Sequence, residues 1–366
     1  MLIVVLVLVA AGLAGGTVWT LQRRAPAMAG AGQGDRPRAP RPVRSIPVAV
    51  DAGIEGGAAQ VLQAGFHALA LVAPSGAIPA PAADPTLLAG AVAAALEAQD
   101  WSARHLPRRP QLLPQLIQTV NDSDASARAM AGIIGQDPVL TGNLLRIANS
   151  PVYRLQAKPV DTLQRAVTLV GTDGIRQIIS AVLVQPVMQL HCDAFPQFGT
   201  VIWEHALLAS RAAADHARRV THEDGFAAQW LGLTHGLGAA LVMRHLLDTS
   251  AQHAQPAPSQ DLAITVLDTW TLPVASRVAA AWQLPTAVHE ALLRDPGHGG
   301  LPASLRFARA AAAASLLCRH GRIGQAQALA LLEQLDDTPP HALQWIWRRL
   351  HGRSVETLDG DESADD

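Results

Sequence analysis

The residues of this chain that could do chemistry are few and widely spaced. Its two cysteines, Cys192 and Cys318, fall outside any CxxC or Cys/His ligand spacing, so they offer neither a disulfide framework nor a zinc knuckle, and buried thiols in a reducing compartment are the simpler expectation. No GxxxxGK[ST], GxGxxG after a strand, GxSxG or HExxH occurs, which removes support for P-loop hydrolysis, dinucleotide redox, esterase and zinc-protease chemistry. Arg104, His105, Arg108 and Arg109 form a basic cluster, yet no aromatics are interleaved with it, and a solvated helix end is the expected reading over a nucleic-acid contact. Asn149 could bridge a neighbouring loop or a ligand, because its side chain both donates and accepts.

The elements that must position these residues are helical. Apolar residues make up 49% of 366 and aromatics only 4%, and abundant Ala favours close-packed helices over β-branched, aromatic-rich strands, so the expected class is all-α. A net charge of −2 gives no whole-chain attraction to nucleic acid, and no nucleic-acid partner is expected. Asp137-Pro138 reads as an N-cap followed by Pro at the first helical position, with Leu140, Leu144 and Ile147 on the apolar face. Asp161 or Thr162 caps a helix expected to stop at Gly171, with Thr172 starting another through Ile175, Ile178, Ile179, Val182 and Leu183. Two longer helices are expected at 201–220 and 223–246, then shorter ones at 261–270, 273–282, 285–294, 303–319, 323–335 and 339–350, together a compact bundle. Trp203, Trp230 and Trp282 read as core aromatics.

The ends differ from the body. Leu2 to Leu21 is a run of twenty residues without a charge, which as a helix spans roughly 30 Å, enough to cross bilayer hydrocarbon. A cleavable signal peptide would carry Lys or Arg before the apolar run, whereas here Arg23, Arg24, Arg36, Arg38, Arg41 and Arg44 all follow it. The positive-inside rule then predicts a single-pass anchor in the membrane lipid, N-out and C-in, with the helical domain in the cytoplasm. Gly12 and Gly16 have a spacing that could pair two copies as a homodimer. The expected organisation is a transmembrane helix at 1–22, a Pro/Arg/Gly-rich linker at 23–47, an Ala-rich helical lead-in at 48–105, a helical domain at 106–320, C-terminal helices at 321–352 and an acidic tail at 353–366. The linker arginines serve either as plain spacer or as contacts to anionic head groups.

IIGQDPVLTGNLLRIANSPVY, LQRAVTLVGTDGIRQI, WEHALLASRAA, LGLTHGLGAALV and AAWQLPTAVHEAL follow one another in the order and spacing of the HDOD domain, which this chain resembles over about 106–320. That family is related to the HD phosphohydrolases, and the resemblance implies a multi-helix bundle and a definite ancestral chemistry. In HD enzymes, histidines and a His-Asp pair hold divalent metals that activate water against a phosphate ester. His205 in WEHAL matches the early histidine and His235 in LTHGLG the histidine of the pair. Position 236 is Gly, Arg309 stands near the usual late aspartate, and 267–282 contains no histidine. The resemblance therefore implies a protein without catalytic residues, metal or cofactor, with His205 and His235 as vestigial positions. Its expected role is a signalling adaptor that binds a protein partner at the inner face of a bacterial inner membrane. The alternative is a divergent metal-dependent phosphodiesterase or phosphohydrolase using His205, His235 and substitutes such as Asp295 or His298.

Overall fold

The computed structural model describes residues 57–73, 85–97, 132, 134–135, 138–150, 158–253, 257–294, 299–335 and 338–351. The expected anchor at 2–21, the linker, the Arg104–Arg109 cluster, the Asp137 cap, Asp295, His298 and the acidic tail lie outside them. Among the described residues every regular element is helical: α1 (Ala58–Ala70), α2 (Pro85–Glu97), α3 (Pro138–Ala148), α4 (Leu163–Met188), α5 (Phe198–His216), a π turn (Ala217–Thr221), α6 (Gly225–Gln252), α7 (Gln260–Ala281), α8 (Thr286–Leu293), α9 (Gly300–Arg319), α10 (Gln325–Glu333) and α11 (Pro340–His351). The described residues form one compact unit.

Side chains set the helix starts. Thr162 accepts from the Arg165 amide at 3.2 Å, Asp224 from the Phe226 amide at 2.9 Å and Ser259 from the Leu262 amide at 3.2 Å, each satisfying one of the N–H groups a helix start leaves unpaired. Two expected breaks do not occur. α4 runs unbroken through Gly171, Thr172 and Gly174, and α7 runs through Pro273 where two helices were expected. A helix needs no side chain to continue across a glycine, and Pro273 removes only one backbone bond, about 3 kcal/mol of propensity that a well-packed helix can absorb. In α7 the flanking residues Leu267, Val274, Ala275 and Val278 are all buried, so packing holds both halves on one axis.

At the centre of the bundle stands α6, packed by α2, α4, α5, α7, α8 and α9. It is apolar on every side, as a helix surrounded by protein must be. Its length and hydropathy would suffice to cross a membrane, but its most apolar stretch lies wholly inside the protein, so it is a core helix. Close approach to its neighbours rests on glycine. A Cβ at Gly232 would overlap the backbone of Ala209 and Ser210, one at Gly236 would overlap the Ala206 methyl, and one at Gly238 would lie 2.6 Å from the Thr271 carbonyl of α7. Trp230 and Trp282 are fully buried, whereas Trp203 is only half-buried at the edge of the core. Asn149 takes the loop role: its amide donates to the Leu145 and Val160 carbonyls at 2.9 and 2.8 Å, and its oxygen accepts from the Val160 amide at 2.7 Å.

Candidate functional site

His205 comes from the second turn of α5 and His235 from the middle of α6, and the close α5–α6 packing brings their ring centroids to 6.1 Å. Both are buried, at 2% and 6% exposure. Above them lies α1, whose Phe66 ring sits 4.4 Å from His205 and whose His67 points toward Asp268 of α7, Nε2 to carboxylate 3.6 Å. From the other side α9 delivers Arg309. Its backbone carbonyl receives a hydrogen bond from His205 Nε2 at 3.1 Å. A carbonyl only accepts, so Nε2 carries the ring proton and Nδ1 holds the lone pair, without a protein partner.

The electrostatics follow from burial and one cation. Loss of water pushes His205 down to about 3, the Arg309 guanidinium pushes the same way, and the carbonyl bond opposes both. Burial and Arg309 also hold His235 well below its ordinary value. His67 is lowered by burial, with Asp268 opposing. Both inner imidazoles are therefore neutral at pH 7. Arg309 is itself desolvated, its charge favoured by Asp268. Gln63, His67, His235, Asp268, Thr271 and Arg309 line a cavity of about 40 Å³.

Neutral imidazoles beside a carboxylate are suitable metal ligands, yet this set does not fit a divalent ion. His205 has committed Nε2 as a donor to a carbonyl, and a cationic guanidinium lies among the rings. No group of three or more His, Cys, Asp or Glu among the described residues has the spacing to hold a metal. At position 236 the deficiency is steric as well as chemical, because the Ala206 methyl and the Met188 Cε, 3.1 Å away, occupy the space a side chain would need. Reading the sequence finds His205, His235, Gly236 and Arg309; it misses Phe66, His67 and Asp268. Asp268 sits in the very stretch noted for lacking histidine, and α1 lies far upstream, so only the fold unites them.

A wider cavity, about 380 Å³, lies elsewhere, between the end of α4 and the start of α5, lined among others by Gln185, Gln189, His191, Cys192, Asp193 and Trp203. Three of its polar groups are engaged: Arg146 donates to Gln185 at 2.7 Å, Arg244 to the Gln189 carbonyl at 3.1 Å, and the Phe195 amide to Cys192 Sγ at 3.3 Å. Cys192 and Cys318 are both free thiols, Cys192 buried and Cys318 partly so. The chemistry-bearing residues gather at the smaller cavity, which is the stronger candidate.

A helical bundle with a histidine pair between two central helices defines the class. The chain belongs to the HDOD family: the family described as HDOD domain matches residues 106–295, more than half its length. A crystal structure of a presumptive phosphohydrolase from Shewanella amazonensis SB2B is similar at 20% identity, covering 72% of this chain and 94% of that one with a TM-score of 0.51. An HDOD domain protein with unknown function from Geobacter sulfurreducens is similar at 19% identity, covering 74% and 90% with a TM-score of 0.47. An uncharacterized protein of Treponema pallidum is 23% identical over 189 residues, 50% of this chain. The chain spans only 36% of that relative's length.

Proposed function

We propose that the protein is a non-catalytic HDOD signalling module, held at the cytoplasmic face of a bacterial inner membrane by residues 2–21 and binding a protein partner in signal transduction. The observation that carries the non-catalytic part is the commitment of His205 Nε2 to the Arg309 carbonyl, with the Arg309 guanidinium beside both rings. Hydrolysis of the HD type needs a metal at that place, and a cation there opposes one. The apolar run at 2–21 and the arginines behind it support the membrane position. An anchored module gains local concentration near membrane receptors without further contacts. Pull-down with the intact chain as bait is expected to recover a sensor kinase, response regulator or cyclase. Stoichiometric Fe, Mn or Zn in the purified protein, lost on His235→Ala, would instead establish the metal-dependent hydrolase.

A further inference from the structure

We infer that the Arg309 cavity is a binding site for a small oxyanion group, a phosphate or a carboxylate, received by a guanidinium that stands among the old ligand positions. Among the described lining residues Arg309 is the one permanent cation. Its Nε–H is buried and has no protein acceptor, and Asp268 acts on it without an ion pair within 4.0 Å. Arg309 as a whole is partly exposed, but its Nε–H is not, and leaving a buried charged donor unmet is costly unless a ligand or water meets it. Beside it stands His235, 94% buried by its 6% exposure, with a ring nitrogen that likewise has no protein partner. Gln63 and Thr271 add an amide and a hydroxyl to the lining.

Of the polar lining residues all but Asp268 can donate, and the rest of the wall, Phe66, Phe198, Ile202, Ala239, Leu267 and Leu272, is apolar. Arg309 and Thr271 donate directly, Gln63 does so with the amide hydrogen left over from its contact with His67 Nε2 at 3.0 Å, and His235 from whichever nitrogen holds its proton. Arg presents paired N–H groups that match the oxygens of a carboxylate or phosphate. Size agrees with the chemistry. One water needs roughly 10–15 Å³ of such volume, and the cavity of about 40 Å³ therefore holds on the order of three oxygen-sized positions. A carboxylate fits whole, a phosphate fits with one of its four oxygens left at the opening, and a nucleotide does not fit unless its remainder stays outside.

One group opposes an anion. Asp268 lies at the rim, its side chain 51% exposed and turned to His67 at 3.6 Å. Asp268 is thus the more solvent-screened of the two charges, since Arg309 is only partly exposed and its Nε–H is buried, so the inner part of the cavity favours negative charge. This asymmetry makes the proposal specific: neutralising Asp268 must strengthen binding of an anion and weaken binding of a cation. The inference does not depend on the adaptor reading, since failure to recover a partner leaves anion binding untouched.

The test is calorimetric titration of the full-length chain in detergent micelles with inorganic phosphate and, separately, acetate, at ionic strength held constant with chloride. Saturable binding of either anion is expected, and which one binds distinguishes a tetrahedral from a planar group. Arg309→Gln should weaken it at least about tenfold, as loss of a charge-assisted pair does. Asp268→Asn should tighten it several-fold, and the exposed Arg294→Gln should leave it unchanged. Should Arg309→Gln fail to fold, Gln63→Leu on the outer helix serves instead, with weakening of about threefold expected. No saturable heat up to about 20 mM of either anion, a weak limit by affinity arithmetic, would mean the cavity holds water alone and would overturn the proposal. Equal affinity in Arg309→Gln, or weakening in Asp268→Asn, would overturn it too.

Discussion

α5 carries two buried histidines three turns apart, His205 and His216, and they lead opposite lives. His216 is fully engaged: Nδ1 meets the Ser304 hydroxyl at 3.0 Å, Nε2 meets the Thr338 hydroxyl at 3.1 Å, and the ring stacks on Phe307 at 4.5 Å. Hydroxyls donate or accept as needed, so either tautomer is satisfied. Its neighbour Asp215, 3% exposed, is met by Arg349 Nε at 2.9 Å. His205, by contrast, has one bond and one buried nitrogen without a protein partner, and His235 Nδ1 and Arg309 Nε are likewise buried without one. Most buried polar groups that serve stability have at least one partner. A cluster of partly met groups around a cavity is the trace of a site. The family motif runs through the second cluster, and the first does the stabilising.

The largest effect expected is from restoring the missing aspartate. Gly236→Asp places a Cβ where the Ala206 methyl already is and a carboxylate among apolar atoms. Overpacking costs about 1–3 kcal/mol, and an uncompensated buried charge costs several more. The variant is expected to lose at least about 4 kcal/mol in denaturant unfolding and to gain no metal by elemental analysis. A stable, metal-loaded variant would show that α5 and α6 can separate and that the site is merely dormant.

Acid should act next. In the unfolded chain both imidazoles take up protons near 6.5, while in the folded protein His205 resists until about 3 and His235 is also held well below its ordinary value. Their contribution is thus complete above 6.5 and declines as the pH falls, at up to about 1.4 kcal/mol per pH unit for each ring. Between pH 7 and 5 His205 alone should remove roughly 2 kcal/mol, and His235 adds in the same direction. His351, lowered to about 4 by burial and Arg319, adds in the same direction. His205→Leu should reduce the slope of stability against pH by close to one proton. An unchanged slope would place the acid sensitivity elsewhere.

How much of this the sequence reveals depends on the range of the cause. Local causes are legible: the Thr162 cap is visible in one residue and its neighbours, and the all-helical class in apolar spacing. Continuity through Gly171 and Pro273 is not, because packing on other helices outweighs the local preference for a break. The motif order locates His205, His235 and Arg309, since a family pattern is read in sequence. Nothing local marks Phe66 or His67 as site residues, or His216 as the better-wired histidine. The glycines of α6 did leave a signal. Gly232 and Gly236, four apart on one face, mark close helix contact, yet beside His235 that spacing reads as a damaged ligand pair.

The smallest effects separate the two histidines themselves. His216→Leu removes two hydrogen bonds and leaves the Ser304 and Thr338 hydroxyls without their ring partner, although Ser304 keeps Thr221 at 3.0 Å and the Gly300 carbonyl at 3.3 Å. A cost of about 2–3 kcal/mol is expected, near the upper range for two buried bonds. His205→Leu removes one bond and also a buried nitrogen that had no protein partner, and its apolar replacement packs against Phe66. Its expected cost is under about 1 kcal/mol. Denaturant midpoints at pH 7.5, where neither ring of the inner pair is charged, read the difference without interference from titration. Equal costs would mean that the His205 ring is held by contacts as demanding as those of His216, and the contrast between a wired histidine and a vestigial one would collapse.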